Sequence, residues 1–341
     1  MSGSASTPIG VIGGGAWGTA LGLVALRAGS PALLWVREPE LVPAINERHE
    51  NHLYLKGVAL DPALRATGRL EEAAACDILL LVVPAQHLAA VARTMAPHLR
   101  KDAVLVSCAK GIETGSGKLM TEIIGEALPH HRMAVLSGPT FAREVAQNLP
   151  TAVTLASSDP ALAEALCARL GSRHFRPYAA DDALGAEIGG AVKNVLAIAC
   201  GIASGRRLGD NARAALITRG LAEIVRFGVR LGAKRETMVG LSGLGDLTLT
   251  CTAEQSRNFS LGMALGRGES LDKILAGRIS VAEGVYSAAA LVARAKKLGL
   301  DLPIAEAVDA VLNRGAAIDA TIASLLARPF RGESEDAILP A

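Results

Sequence analysis

The stretch IGVIGGGAWGTA, from Ile9 to Ala20, decides the fold of the first half of the chain. Its first four residues form an apolar run that predicts a short buried strand, and the pattern after the glycines predicts a helix. Between the two lies the spacing G-x-G-x-x-G, formed by Gly13, Gly15 and Gly18. A strand, a glycine turn and a helix in this order predict the first βα unit of a doubly wound sheet.

Each glycine of this turn has a predicted role. Gly13 permits the tight turn, Gly15 lets the backbone approach a pyrophosphate, and Gly18 lets the helix lie close to the strand. The helix N-terminus adds N–H donors and positive potential. Because a second strand ends about 20 residues further on, the context predicts a dinucleotide-binding site, and a glycine-rich turn without a ligand is the alternative.

The end of the second predicted strand bears on the choice of nucleotide. An arginine there pairs the 2′-phosphate of NADPH, whereas a carboxylate accepts the ribose hydroxyls of NADH. Arg37 follows the strand and Glu38 is adjacent. We expect NADPH or NADH as the cofactor, with NADPH favoured through Arg37. The alternatives are that Glu38 reads the ribose, or that the two side chains form a solvated pair with no role in binding.

Continuous apolar runs alternate with helical patterns through the first half of the chain, which is typical of βαβ units and a mostly parallel sheet. After about Asp182 the strand signals stop and long helical patterns follow. The predicted fold class is therefore α/β, with a Rossmann-like doubly wound sheet domain followed by an all-α substrate domain. The predicted strands are Ile9–Ile12, Ala32–Val36, Ile78–Val83, Ala103–Ser107, Met133–Ser137, Ala152–Ala156 and Arg173–Pro177.

The same patterns divide the 341 residues into three ranges. We predict an NAD(P)-binding domain over residues 7–182, an all-helical substrate domain over 183–328 and a polar C-terminal tail over 329–341. The predicted helices of the second domain are Ala183–Ser204, Asp210–Leu231, Ser256–Gly266, Ala282–Leu298 and Ile304–Asn313.

Composition bears on the classes of partner and on location. The formal net charge is +2 and aromatic residues make up 3% of the chain, so we expect no nucleic acid and no stable membrane insertion. The apolar stretch from Ala183 to Gly205 contains Glu187, Lys193 and Asn194, which predict a buried helix in place of a membrane span. Five cysteines without CxxC spacing, and a start without a basic signal-peptide region, predict a cytoplasmic protein.

The ionisable residues of the helical half favour lysine chemistry. All seven histidines precede residue 175 and none shows metal-ligand spacing, so we expect no metal. Lys193 lies in an apolar, glycine-rich helical pattern, where burial lowers a lysine pKa and makes the amine a proton donor near neutrality. A structural ion pair with a buried acid such as Glu187 is the alternative.

Polar residues in other predicted turns are candidates for substrate contacts. Lys110 follows a strand at the carboxyl edge of the sheet, where ligands of such folds bind. Gly138 and Thr140 follow another strand, although Gly-Pro is also an ordinary turn signal. Arg257 and Asn258 begin a predicted helix, where a guanidinium and backbone N–H groups together suit a phosphate. An exposed Arg–Asn pair is the alternative.

Taken in order, these motifs resemble the bacterial NAD(P)-dependent glycerol-3-phosphate dehydrogenases, from residue 8 to residue 327. Each motif alone is modest, but the ordered set is specific. The resemblance is carried by Gly13–Leu21, Ala109–Gly111, Ser137–Ala142, Gly190–Val195, Asn211–Leu216, Gly243–Leu247, Thr250–Thr252, Ser256–Asn258 and Val281–Gly284.

The resemblance implies reversible hydride transfer between a nicotinamide and C2 of dihydroxyacetone phosphate, which gives sn-glycerol 3-phosphate for glycerophospholipid synthesis. It makes Lys193 the catalytic acid/base that protonates the C2 alkoxide. The implied substrate-binding residues are Lys110, Gly138, Thr140, Lys193, Asp246, Ser256, Arg257 and Asn258. The implied cofactor-binding residues are Gly13, Gly15, Ala16, Trp17, Gly18, Arg37, Lys110, Ala142, Arg257, Val281 and Glu283.

One departure from the family pattern is Ala16, where serine is usual after the second loop glycine. Alanine removes a hydroxyl but keeps the backbone N–H, so we expect pyrophosphate binding to survive. The habit of the family also suggests a homodimer. The other expected partners are the small-molecule substrates, dihydroxyacetone phosphate and sn-glycerol 3-phosphate.

Two other functions fit parts of the sequence. β-Hydroxyacid dehydrogenases combine the same sheet with a helical domain and a lysine between domains, but they place an asparagine several residues after that lysine, whereas Lys193 and Asn194 are adjacent. A nonenzymatic dinucleotide sensor has no need of an amine buried at a cleft, so Lys110 and Lys193 argue against it.

Overall fold

The computed structural model describes residues 7–277 and 282–329. The strands are β1 Ile9–Ile12, β2 Ala32–Trp35, β3 Arg65–Thr67, β4 Ile78–Leu81, β5 Val104–Ser107, β6 Arg132–Ser137, β7 Thr151–Ala156 and β8 Phe175–Ala180. The α-helices are α1 Ala16–Arg27, α2 Leu41–Asn46, α3 Leu70–Ala74, α4 Leu88–Met95, α5 Met120–Ala127, α6 Ala142–Ala146, α7 Pro160–Leu170, α8 Ala183–Gly205, α9 Asp210–Arg230, α10 Arg235–Met238, α11 Asp246–Thr252, α12 Arg257–Gly266, α13 Leu271–Ala276, α14 Glu283–Lys297, α15 Pro303–Asn313 and α16 Ile318–Leu326.

These strands form one sheet in the order β3-β2-β1-β4-β5-β6-β7-β8. Neighbouring strands are parallel except β6 and β7, which are antiparallel. The order of β1 to β6 is the doubly wound arrangement, in which ligands bind at the carboxyl ends of the strands where the strand order reverses. The order reverses at β1, so the glycine turn that follows this strand lies at the binding edge of the sheet.

Both faces of the sheet are covered, which explains the continuous apolar runs of the central strands. In β4, Ile78 and Leu80 belong to one hydrophobic cluster, whereas Leu79 and Leu81 belong to another. Successive side chains of a strand point to opposite faces, so a strand with a core on both sides needs apolar residues at every position.

The predicted fold class is confirmed, because a mostly parallel sheet with helices precedes a part of the chain whose described residues contain helices and no further strand. The central strands differ from their predicted ranges by at most two residues at an end, and the larger differences concern the strands at the edges of the sheet. The three-residue strand β3 was not predicted, since it has no apolar run. The last strand, predicted at Arg173–Pro177, is observed at Phe175–Ala180, because its exposed positions blur the pattern.

The described residues divide into two compact units. The first contains the residues up to Ala109 together with Met120–Ala183, and the second contains Lys110–Leu119 together with the residues from Leu184 onward. Ile112 and Leu119 pair with each other and belong to the hydrophobic core of the second unit. The sequence-based ranges 7–182 and 183–328 differ from this division mainly by the segment Lys110–Leu119, which carries Lys110 into the helical unit.

Helix α8 forms the centre of the second unit. It is apolar on all sides, which is typical of a helix that is buried all round. Among the described helices, α8 is the one that is long and apolar enough to cross a membrane. However, 83% of its most apolar 18-residue window is buried inside the protein. The prediction of a buried helix from Ala183 to Gly205 is therefore confirmed.

Candidate active site

The glycine turn after β1 has the geometry of a phosphate cradle. Gly13 has a φ of +128°, which L side chains rarely adopt. A Cβ atom at Gly18 would lie 1.8 Å from the carbonyl oxygen of Gly13, so helix α1 approaches the turn as closely as backbone allows. A Cβ atom at Gly15 would have no protein atom within 4 Å. The turn is thus open at Gly15, where a pyrophosphate would meet the backbone N–H groups of the helix start.

Four other residues that the sequence assigned to the nucleotide lie in the first turn of a helix. Ala16 is the first residue of α1, and Trp17 packs against the core of the first unit. The indole Nε1 of Trp17 is buried and has no hydrogen-bond partner among the described residues. Ala142 and Glu283 are the first residues of α6 and α14. Val281, assigned to the nucleotide from the sequence, lies outside the described residues.

The residues at the end of β2 form a linked group. The guanidinium of Arg37 lies 3.0 Å from Oε1 of Glu38, and the hydroxyl of Tyr54 donates to the same oxygen over 3.0 Å. The Arg37 side chain is 73% exposed, whereas that of Glu38 is 19% exposed. Burial and the hydrogen bond to Glu38 raise the pKa of Tyr54. Glu38 is therefore held against Tyr54, and Arg37 is the member of the group that reaches solvent.

Two lysines and one aspartate form the polar centre of the second unit. The carboxylate of Asp246, at the start of α11, is fully buried. Its Oδ1 lies 2.6 Å from Nζ of Lys193, and its Oδ2 lies 2.8 Å from Nζ of Lys110. Lys193 also donates to Oγ1 of Thr250 over 2.8 Å, one helical turn beyond Asp246. One carboxylate thus fixes two ammonium groups, and the cluster carries a net charge of about +1 when both lysines are protonated.

The electrostatics of this cluster make Lys193 a usable acid. Burial lowers the pKa of Lys193 to about 8. The Asp246 carboxylate opposes that shift, and the positive charge of Lys110 adds to it. A lysine with a pKa near the working pH donates and recovers a proton far more readily than an ordinary one. The acid beside Lys193 is Asp246, whereas the alternative weighed from the sequence was Glu187.

A chain of buried amides lies beside the lysine cluster. The N–H of Gly284 donates to Oδ1 of Asn258 over 3.0 Å, and Nδ2 of Asn258 donates to Oδ1 of Asn194 over 2.9 Å. Nδ2 of Asn194 donates in turn to the carbonyl oxygen of Lys110 over 3.2 Å. The chain joins α14, α12 and α8 to the segment that carries Lys110.

Ser256, Arg257 and Asn258, which the sequence assigned to the substrate, have three different environments. The hydroxyl of Ser256 accepts the N–H of Phe259 over 3.2 Å and caps α12, and the amide of Asn258 lies in the buried chain just described. Arg257, the first residue of α12, is exposed. Arg257 is thus the member of the three whose side chain reaches solvent.

The turn after β6 contains Gly138 and Thr140, the two residues that the sequence proposed as substrate contacts. Gly138 has a φ of +144°, and a Cβ atom there would lie 3.0 Å from the Cα of Val153. The hydroxyl of Thr140 donates to the carbonyl oxygen of Gly138 over 3.2 Å. The turn therefore requires glycine, and the Thr140 hydroxyl serves the turn itself.

Sequence reasoning did not single out Asn194 and Thr250 as site residues. Thr250 follows Asp246 by four positions, and residues four apart on a helix face the same side. That spacing is a signal that would have identified Thr250 beside the acid. Asn194 carried no comparable signal, because its partners Lys110 and Asn258 are far away in the sequence.

Two family models together match most of the chain. The model for the N-terminus of NAD-dependent glycerol-3-phosphate dehydrogenase matches residues 8–163, and the model for the C-terminus of the same family matches residues 182–323. These matches agree with the resemblance carried by the ordered motifs.

Individual proteins match over nearly their whole length. Glycerol-3-phosphate dehydrogenase (NAD(P)+) of Rhodospirillum rubrum is 58% identical over 335 residues, which are 97% of this chain and 96% of that protein. The protein of the same name from Caulobacter vibrioides is 56% identical over 326 residues, 96% of this chain and 98% of that protein. The crystal structure of glycerol-3-phosphate dehydrogenase from Coxiella burnetii is 39% identical, has a TM-score of 0.91, and matches 95% of this chain and 99% of that one. The chain therefore belongs to the NAD-dependent glycerol-3-phosphate dehydrogenase family.

Proposed function

We propose that the chain is an NAD(P)-dependent sn-glycerol-3-phosphate dehydrogenase, which reversibly converts dihydroxyacetone phosphate and sn-glycerol 3-phosphate. Family membership gives the reaction class, an oxidoreductase acting on a CH–OH group. The observation that carries the proposal is Lys193, a buried amine whose pKa is lowered to about 8 and whose position is fixed by Asp246 and Thr250.

Lys193 supplies the proton of the reaction. The glycine turn of Gly13, Gly15 and Gly18 would hold a nicotinamide nucleotide, which would supply the hydride for C2 of the substrate or take it up in the reverse direction. As negative charge develops on the C2 oxygen, the ammonium group of Lys193 donates a proton to it, and the neutral amine takes the proton back when the alcohol is oxidised. Asp246 keeps the amine in place through a 2.6 Å contact, and Thr250 accepts a second of its three N–H donors. The third N–H is left for the substrate oxygen.

The surrounding charges suit an anionic substrate. Lys110 shares the Asp246 carboxylate and leaves the cluster with an excess positive charge, which stabilises the developing alkoxide. Arg257 at the N-terminus of α12 binds the phosphate, because a guanidinium fork and a helix start both favour phosphate oxygens. Gly138, Thr140, Asp246, Ser256 and Asn258 complete the proposed substrate site, the last two by shaping the backbone around Arg257.

The proposed nucleotide site is the turn formed by Gly13, Gly15 and Gly18 with the start of α1. The open space at Gly15 and the close approach of Gly18 to the Gly13 carbonyl both fit a pyrophosphate. Ala16, Trp17, Arg37, Lys110, Ala142, Arg257, Val281 and Glu283 are the other residues of the proposal. NADPH is the favoured nucleotide, because the exposed Arg37 is available to a 2′-phosphate while Tyr54 holds Glu38 back.

The setting of the enzyme is proposed on similar grounds. None of the five cysteines, all of which the structure describes, forms a disulfide, which suits a reducing cytoplasm. The product, sn-glycerol 3-phosphate, would then enter glycerophospholipid synthesis there. The domain ranges 7–182 and 183–328 correspond to nucleotide binding and substrate chemistry, and a homodimer is the proposed assembly.

Steady-state reduction of dihydroxyacetone phosphate, with NADPH and NADH in separate series, tests the proposal. We expect turnover with both nucleotides and a higher kcat/KM with NADPH. A β-keto acid, the oxidised form of a β-hydroxyacid, serves as the comparison substrate, and we expect no turnover of it. Reduction of the keto acid without reduction of dihydroxyacetone phosphate would refute the proposed substrate, and binding of nucleotide without any turnover would favour a sensor.

A further inference from the structure

A side chain far from the glycine turn in sequence holds that turn in place. Asn51 follows α2 in a loop, and none of its surface is exposed. Its Nδ2 donates to the carbonyl oxygen of Gly14 over 2.9 Å and to Oγ1 of Thr19 over 2.8 Å. Its Oδ1 accepts the N–H of Tyr54 over 3.0 Å. Because that N–H needs an acceptor, the orientation of the Asn51 amide is fixed.

Thr19 links Asn51 to Gly15, the next residue of the turn. The hydroxyl of Thr19 accepts from Asn51 and donates its own proton to the carbonyl oxygen of Gly15 over 3.0 Å. The N–H of Thr19 reaches the same carbonyl over 3.0 Å. Asn51 thus controls two consecutive carbonyl groups, one directly and one through Thr19.

The orientation of these carbonyl groups sets that of the loop N–H groups. In a trans peptide the C=O and the N–H of one plane point in opposite directions. When the Gly14 carbonyl points to Asn51, the N–H of Gly15 points away from it. When the Gly15 carbonyl points to Thr19, the N–H of Ala16 points the opposite way. These are N–H groups at the open side of the turn, where a Cβ atom on Gly15 would meet no protein atom within 4 Å.

We propose that Asn51, acting through Thr19, is a positioning residue for nucleotide binding: it presets the N–H groups of Gly15 and Ala16 toward the pyrophosphate. The proposal rests on the proposed nucleotide site. Preset donors bind an anion without the cost of reorienting peptide planes at the moment of binding. The pyrophosphate is common to NADH and NADPH, so loss of Asn51 should weaken both nucleotides equally and leave their ratio unchanged.

The experiment measures the dissociation constants of NADH and NADPH by titration calorimetry, on folded protein well below its Tm. We expect Asn51→Ala and Thr19→Val each to raise both constants at least tenfold, and Thr19→Ser to restore wild-type binding. In steady state the KM for the nucleotide should rise while kcat at saturating nucleotide changes by less than threefold. Thr19→Val carries the test if Asn51→Ala does not fold.

Two matched controls separate positioning from a general loss of stability. Thr94→Val removes an exposed hydroxyl that makes the same bond to the carbonyl four residues earlier, that of Ala90 over 3.0 Å. Asn46→Ala removes an amide that braces Ala66 through two hydrogen bonds of 2.9 and 2.8 Å. Both controls should keep wild-type nucleotide binding.

Three results would contradict either the proposed nucleotide site or the positioning role of Asn51. If wild-type protein binds neither nucleotide, the proposed nucleotide site itself fails. If it binds them and the folded Thr19→Val variant binds within threefold of wild type, the positioning role is refuted while the site stands. Equal weakening by Thr94→Val or Asn46→Ala would likewise refute a specific role for Asn51.

Discussion

Asp246 is the residue that joins the two lysines of the proposed substrate site. Its two oxygens lie 2.6 and 2.8 Å from two lysine ammonium groups, and it is fully buried. A buried charge is stable only when it is paired and hydrogen-bonded. Burial lowers the pKa of Lys193 to about 8, the Asp246 carboxylate opposes this shift, and the second cation, Lys110, adds to it. Burial therefore keeps the proton of Lys193 available, while the contact with Asp246 holds the amine in place.

Arg257 is the residue that should distinguish a phosphorylated substrate from an unphosphorylated one. Arg257→Ala removes a charge-assisted contact worth about 2 to 4 kcal/mol, or roughly 30- to 1,000-fold in kcat/KM for dihydroxyacetone phosphate. Dihydroxyacetone has no phosphate, so its low kcat/KM should fall far less. The two kcat/KM ratios, variant over wild type, make the measurement. Equal losses for both ketones would mean that Arg257 serves the nucleotide alone.

Helices α8 and α12 show why a helical unit can be rich in glycine. Gly201 and Gly205 on α8 face Gly262 and Gly266 on α12, each pair spaced by four residues. A Cβ atom at Gly262 would lie 2.2 Å from the carbonyl oxygen of Ile198, and one at Gly201 would lie 2.1 Å from that of Phe259. The two backbones therefore touch, and α12 holds Asn258 against Asn194 on the helix that carries Lys193.

Gly262→Ala should destabilise the protein despite the higher helix propensity of alanine. The clash is with backbone, so the helices must separate at a cost of about 1 to 3 kcal/mol beyond the gain of about 1 kcal/mol from propensity. Gly125→Ala in α5 is the control, because its Cβ atom would have 3.7 Å to the tip of Met133. Denaturant unfolding measures both variants. The close packing would be contradicted if the two variants were equally stable.

The side chain of Glu223 on α9 caps the N-terminus of α15. Its carboxylate accepts the N–H groups of Ile304 over 2.7 Å and of Ala305 over 3.1 Å, and the residue is 1% exposed. Burial raises the pKa of Glu223 to about 7, although the two backbone hydrogen bonds and Arg226 oppose the shift. An acid whose pKa is raised in the folded state contributes most to stability below its unfolded pKa.

The stability of the protein should therefore carry a pH dependence from Glu223. Its contribution is complete below about pH 4.5 and is lost as the pH rises to about 7, by about 2 to 4 kcal/mol in total. The Glu223→Gln side chain cannot ionise, so the variant lacks this dependence. The unfolding free energy of the variant should therefore rise relative to that of wild type between pH 5 and pH 8. The measurement is the difference in unfolding free energy between the two proteins at each pH. A difference that stays constant across this range would contradict a raised pKa.

At the scale of the whole molecule, the features that could be predicted from the sequence are those that local residue patterns determine. Apolar runs and glycine spacing were enough for the doubly wound sheet, for the central strands and for long helices such as α8 and α9. The strands β3 and β8 were missed or misplaced because edge strands have an exposed side and no continuous apolar run. These errors do not touch the glycine turn, which is coded within a few residues.

The site was only partly predictable for a related reason. Lys110, Lys193 and Asp246 were each selected from the sequence, but 136 positions separate Lys110 from Asp246. Their meeting on one carboxylate is a property of the tertiary fold, and so is the passage of Lys110 into the helical unit. The sequence suggested Glu187 as a possible acid beside Lys193, whereas the structure places Asp246 there, and this difference has the same cause.

The pH dependence of kcat/KM for reduction of dihydroxyacetone phosphate, in wild type and in Asp246→Asn, tests most directly whether Lys193 is the proton donor. Reduction needs the protonated amine, so the wild-type value should fall above about pH 8, in line with the pKa of Lys193. Removing the Asp246 carboxylate removes the charge that raises this pKa, so the fall should begin at lower pH in the variant. A fall at the same pH in both proteins, or none up to pH 10, would contradict the assignment of Lys193.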